Sequence, residues 1–175
     1  MREFWLDIGA GMDAEHWAAT PPPPGVLQVA MDPLLTSGMI GSGRLALLPS
    51  RILRVGAEVR PHGSVEKERA RSFLPFRDSV FTQVHCGFVL HLYLETLELL
   101  AEEAHRVLRP GGGFTVLIPH LGDLRCEQAV QRTEWVLREQ FGTVELDWFA
   151  GPFTTFWADL YRGRTYAIHC TRHTQ

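Results

Sequence analysis

Little in this chain points to a metal, a membrane span or a disulfide framework. It has only three cysteines, Cys86, Cys126 and Cys170. They are scattered and odd in number, and none belongs to a C-x-x-C pair, which argues against a zinc or redox site. Each is read as a small buried hydrophobe, in keeping with a reducing, cytoplasmic setting. The eight histidines show no H-x-x-E-H spacing, and no metal is assigned. No apolar run is long enough to cross a membrane, and no secretory leader is expected ahead of the first strand. The formal net charge is −3 with no basic stripe, so nothing electrostatic singles out nucleic acid as the main partner.

What is present is an ordinary globular composition, with 45% hydrophobic and 21% charged residues over 175 positions. It is read as a single domain, residues 1–175, large enough to bury a core. The clearest local pattern lies between Leu74 and Pro119. Val80 to Cys86 is short, apolar and rich in β-branched residues, as a buried strand requires. Glu95 to Leu108 has helical spacing, with Leu97, Leu100, Ala101, Ala104, Val107 and Leu108 on one face and Glu98, Glu102, Glu103 and Arg106 mainly outside. Pro110 forbids continuation, and Gly111 to Gly113 suit a helix exit. Phe114 to Ile118 is a second apolar strand. Strand, crossover helix and strand make a parallel unit.

Ahead of that unit, Phe4 to Ile8 reads as a strand. Asp7-Ile8-Gly9-Ala10-Gly11 then has the form D-x-G-x-G, in which glycines after a strand permit a sharp turn and close ligand approach. Asp13 can cap a short helix, which Pro21 to Pro24 terminate as a stiff connector. Val26 to Met31 is a second strand ending at Asp32. A carboxylate about 20 residues beyond a glycine loop, at the end of the second strand, can accept hydrogen bonds from both ribose hydroxyls. Leu34 to Arg71 is ambiguous: Leu45 to Leu48 and Ile52 to Val55 are apolar but short. The VEKERAR run from Val65 is read as a solvated face. Toward the C-terminus, Cys126 to Phe141 has helical spacing closed by Gly142. Val144 to Phe149 and Thr165 to Cys170 alternate as strands, joined through an aromatic stretch, Phe153 to Trp157.

The combination LPFRDSVF, FVLHLY and EEAHRVLRPGGGF resembles the second half of class I S-adenosylmethionine-dependent methyltransferases of the small-molecule, type 11-like kind. The resemblance covers about a quarter of the chain. It implies a Rossmann-like α/β fold: a seven-stranded, mostly parallel sheet with helices on both faces and an antiparallel C-terminal hairpin. It implies S-adenosyl-L-methionine as cofactor, with Asp7, Gly9 and Gly11 at its methionine end and Asp32 at the ribose. Leu74 and Phe76 would lie on the adenine side, and His85, Cys86 and Gly87 beside the sulfonium. His91 and Tyr93 are the candidates for a general base or an acceptor-orienting group.

The expected activity is methyl transfer to an unidentified acceptor, a small molecule in the first instance and a macromolecule in the second. The alternative is a degenerate methyltransferase-like domain that binds cofactor as a regulator or assembly partner. Three departures from the family pattern motivate that alternative. The first helix is short. The acidic-small pair before LPF is replaced by Ala70 and Arg71, with Glu66 or Glu68 as substitutes. The usual N-terminal helical cover is not seen ahead of the first strand. Thr82 also stands where the family often has aspartate. The aromatic stretch is expected to close over the acceptor, to form a homodimer contact or to pack in the hairpin. A dehydrogenase is disfavoured by the PGG-F and LPF segments.

Overall fold

The computed structural model describes residues 2–9, 23–31, 52–55, 74, 76–87, 94, 97–119, 124–149 and 165–173. Seven strands form one sheet: β1 (Glu3–Ile8), β2 (Val26–Met31), β3 (Ile52–Val55), β4 (Phe81–Gly87), β5 (Leu108–Pro119), β6 (Val144–Phe149) and β7 (Thr165–Thr171). Their spatial order is β3-β2-β1-β4-β5-β7-β6. β1 pairs in parallel with β2 and β4, β2 with β3, and β4 with β5. β7 runs antiparallel between β5 and β6, which supplies the expected C-terminal hairpin. The short apolar segment Ile52–Val55, ambiguous in sequence, is a strand.

Two helices lie among the described residues, α1 (Leu97–Val107) and α2 (Leu124–Phe141). They pack against each other; α1 lies on β5, and α2 on β5, β6 and β7. Both therefore cover the same face of the sheet. Helices on both faces were expected; the short helix after Asp13, and the ambiguous Leu34 to Arg71 stretch apart from β3, lie outside the described residues. In α1 the apolar stripe is as anticipated: Leu97, Leu100, Ala101, Ala104 and Val107 are buried. Glu98 in the first turn and Arg106 in the last complement the helix dipole.

Strand alternation gives the sheet two unlike faces. Leu6, Ile8, Val29, Val84, Cys86, Phe114, Val116, Ile118 and Ile168 point into one continuous core with the helices. Phe141 from α2 closes that core, its ring 5.9 Å from Phe114 and 5.2 Å, edge-on, from His105. All three cysteines are buried and none forms a disulfide.

The structure differs from the sequence expectation in two places. The Pro110-Gly111-Gly112-Gly113 segment is not a loop between helix and strand, because β5 begins at Leu108, directly after α1. The segment is an irregularity inside that strand: Phe81 pairs with Leu108, and the next pair is Gln83 with Gly113. Of these glycines only Gly111 takes a positive φ, 79°, the conformation a side chain would disfavour. Arg172, the residue after β7, stitches the irregularity down, through Gly111 N to Arg172 O at 2.7 Å and Arg172 N to Gly112 O at 2.9 Å. The second difference is Glu103, expected outside the helix stripe but only 7% exposed. Its carboxylate accepts from the Leu74 backbone N–H at 2.8 Å and from Arg106.

Candidate active site

The order of the sheet locates a site before any side chain is considered. Leaving β1, one neighbour (β2) follows it directly in the chain and the other (β4) comes only after β3. In open α/β sheets, ligands bind outside the carboxyl ends of strands at such a reversal. Here those ends are Asp7-Ile8-Gly9 and His85-Cys86-Gly87, which the register places side by side: Asp7 opposite His85 and Ile8 opposite Cys86.

The structure therefore brings together five of the residues singled out from the sequence. Asp7 is 6% exposed. Gly9 turns the chain out of β1 with φ 73°, a left-handed conformation that costs a side-chain-bearing residue roughly 1 kcal/mol or more. A Cβ on Gly87 would meet nothing within 4 Å, so the end of β4 borders open space. Cys86 is different. Its side chain turns into the helix-covered core with no exposure, and burial, then the nearby Asp7, push its thiol pKa up. Only its backbone faces the strand end, so it is not a nucleophile there.

Leu74 and Phe76 are not brought to this end. Leu74 is wholly buried, and Phe76 stacks edge-on against Phe81, the first residue of β4, at 5.0 Å. Arg106 holds the backbone carbonyls of both, at 3.1 Å and 2.8 Å. They anchor the chain where β4 begins. Thr82, in place of the family aspartate, donates to the Phe4 carbonyl at 3.2 Å and so ties β4 to β1. Gly11, Asp32, His91 and Tyr93 lie outside the described residues, as do Ala70, Arg71 and the Phe153 to Trp157 stretch.

Sequence reading missed the polarity of the second sheet face. Parallel sheets in α/β proteins are usually apolar on both faces. Here one cross-strand row runs Asp7, His85, Thr115, His169, Glu145. Thr115 Oγ1 and His169 Nδ1 are 3.0 Å apart. His85 packs its ring 6.0 Å from Trp5. Burial, then His169, hold the His85 pKa down to about 4, leaving a neutral imidazole near pH 7. In the adjoining row the Gln28 amide, fully buried, and the Trp5 indole N–H find no hydrogen-bond partner among the described residues. The signal was present in sequence as Glu3 and Asp7 in β1 and Gln83 and His85 in β4, out of phase with the apolar Leu6, Ile8, Val84 and Cys86. Among the described residues no cluster of His, Cys, Asp or Glu could hold a metal ion, and no helix is long and apolar enough to cross a membrane.

Comparison with known proteins places this architecture in one class. The chain has the fold of class I S-adenosylmethionine-dependent methyltransferases. Residues 50–116 match the family model described as a methyltransferase domain. Among solved structures, the chain is similar to Haemonchus contortus phosphoethanolamine N-methyltransferase 2, in complex with phosphomonomethylethanolamine and S-adenosylhomocysteine. Identity is 14% and the TM-score 0.61, over 100% of this chain and 49% of that one. It is also similar to a 16S rRNA adenine-N1 methyltransferase from Catenulisporales acidiphilia with its cosubstrate S-adenosylmethionine: 15% identity, TM-score 0.60, 98% of this chain and 86% of that one. A predicted O-methyltransferase from Agrobacterium tumefaciens gives 14% identity and TM-score 0.62 over 98% and 74%. The chain thus spans about half the length of the Haemonchus enzyme. No curated protein sequence matches it.

Proposed function

We propose that this chain binds S-adenosylmethionine at the carboxyl ends of β1 and β4 and transfers its methyl group to an acceptor. The observation that carries the reading is the juxtaposition of Asp7 and Gly9 with His85 and Gly87 at the strand-order reversal. Asp7, Gly9 and Gly11 would hold the methionine end and Asp32 the ribose. His85 and Gly87, with the Cys86 backbone, would border the sulfonium. Leu74 and Phe76 would serve the adenine side indirectly, by fixing the chain that leads into β4. His91 and Tyr93 remain the candidates for orienting an acceptor.

Methyl transfer is an in-line displacement that depends chiefly on alignment and on an available lone pair. The structurally similar enzymes act, by their names, on a phosphobase and on ribosomal RNA, so both acceptor sizes have precedent in this fold. The match to a methyltransferase domain model favours turnover over the regulatory alternative.

Titration calorimetry with S-adenosylmethionine and S-adenosylhomocysteine tests the reading. Binding of both, weakened at least tenfold in Asp32→Ala, is the expected result. A folded sample that binds neither removes it.

A further inference from the structure

The sheet carries a cleft where β1 and β2 begin, at the end away from the candidate cofactor site. Its volume is about 170 Å³, and it is lined by Glu3 and Trp5, which share one face of β1, and by Pro23 to Val26, which lead into β2. Pro23 to Val26 form a tight turn: the Val26 N–H donates to the Pro23 carbonyl at 3.1 Å, and Gly25 has φ 92°. Proline second and glycine third is the order a type II turn selects. The Glu3 N–H donates to the Gly25 carbonyl at 3.3 Å, which ties the turn to β1. The Pro24 ring stiffens that turn, so the cleft is formed before a ligand enters it. A Cβ on Gly25 would meet nothing within 4 Å, so the turn borders open space.

We propose that this cleft binds the head group of a small organic cation, a guanidinium or an alkylated ammonium. Glu3 is the one charged residue of the lining. It is exposed, its register partner on β2 is Val26, and its carboxylate has no ion-pair partner among the described residues. An anion is repelled there. The Trp5 indole attracts a cation over its face. Indole and proline rings cannot replace the water around a compact ammonium, whereas guanidinium and alkylated ammonium groups are weakly hydrated and give that water up readily. The volume is below the roughly 300 Å³ of a site that engulfs a drug-sized ligand, so a head group enters and a whole cofactor does not. The prolines have no N–H, and those of Glu3 and Val26 are already used within the turn. Little is left to hold a flanking peptide backbone, so the cation is a free small molecule and not the side chain of a protein partner.

The test follows the Trp5 indole N–H by NMR of the isotope-labelled full chain at constant ionic strength. The resonance is identified by its loss in Trp5→Phe. Should that variant not fold, equilibrium dialysis of radiolabelled tetramethylammonium against wild type and Glu3→Gln makes the same comparison. Tetramethylammonium and methylguanidinium chlorides should each give a saturable shift, with ammonium at least about fivefold weaker. Glu3→Gln, at an exposed position, should fold normally and weaken both by about threefold. The midpoint should not move when S-adenosylhomocysteine is present, because that ligand is assigned to the other end of the strands. No saturable shift, or an unchanged midpoint in Glu3→Gln, overturns the site. An equal response to ammonium or to the uncharged tert-butanol overturns the ligand class. Competition by S-adenosylhomocysteine moves the cation to the cofactor site and overturns the cleft. Tighter binding of N-acetylarginine amide than of methylguanidinium overturns the small-molecule source.

Discussion

Arg106 holds Glu103, one helical turn before it, through two hydrogen bonds of 2.7 Å and 2.8 Å. The same guanidinium reaches the carbonyls of Leu74 and Phe76 and the carboxylate of Asp78, the last at 2.6 Å. The Glu103 carboxylate, and then Asp78, raise the Arg106 pKa. One side chain thus fixes the chain ahead of β4 to the last turn of α1. Removing one partner of a mostly buried pair strands the other. Arg106→Met should cost about 3 kcal/mol, read as a lower urea midpoint at unchanged slope. Glu103→Gln should cost less, since the amide still offers an oxygen to Leu74. Asp78 is 74% exposed, so Asp78→Ala should stay within about 0.5 kcal/mol. Equal effects at all three positions would contradict this hierarchy.

Gly112 and Gly113 adjoin in sequence but should tolerate a methyl group very differently. A Cβ on Gly112 would come 2.9 Å from the Arg109 carbonyl and 3.1 Å from that of Thr82, both backbone atoms. On Gly113 the closest atom, at 2.7 Å, is the amide oxygen at the tip of Gln83, which can swing aside. Gly112→Ala is expected to lose about 2 kcal/mol by forcing the β5 irregularity apart, and Gly113→Ala under about 1 kcal/mol. Thermal unfolding of the two variants gives the ranking; the reverse order would refute the close-packed geometry.

Phe141 joins the last turn of α2 to β5 and α1 through Phe114 and His105. Phe141→Ala should cost about 3–5 kcal/mol, the largest single loss among these variants. Phe141→Leu, which retains much of the volume, should lose less than half of that. Calorimetric unfolding checks both. A loss of under about 1 kcal/mol for the alanine variant would mean that α2 packs elsewhere.

The fold was legible wherever burial sets a period. α1, α2 and five of the seven strands follow the spacing of apolar residues to within a residue or two at their ends, while β5 starts six residues earlier than its apolar run. The PGGG segment was misread as a helix exit because proline and glycine signal a stop, while the β7 bonds that keep it in the sheet come from residues about sixty positions away in sequence. Glu103 was misread because helical spacing does not reveal that a guanidinium three residues on can neutralise a buried carboxylate. For the site, the D-x-G-x-G turn announced the end of β1. Its pairing with His85 came into view only through the register, as did the row linking Thr115 to His169, whose members are 54 positions apart. Cys86 was assigned by position alone; strand parity turns its thiol into the core.

His85 should make the fold acid-sensitive in a defined direction. Its folded pKa is about 4 against 6.5 for a free imidazole, so the unfolded chain takes up the proton first. Above about pH 6.5 neither state is protonated and the histidine has no pH-linked effect. As pH falls below that value the unfolded state is favoured progressively, approaching about 3 kcal/mol near pH 4. Because carboxylates also titrate there, the quantity to measure is the difference between wild type and His85→Gln, by urea unfolding across that interval. The variant should flatten the acid limb by that amount, whatever its pH-independent cost. His169→Gln gives a second reading. Removing the neighbouring imidazole raises the His85 pKa toward its free value, so the variant's loss should begin at the same pH as in wild type but be smaller and level off at a higher pH. Superimposable acid limbs for all three proteins would show that His85 is not held neutral by burial and His169.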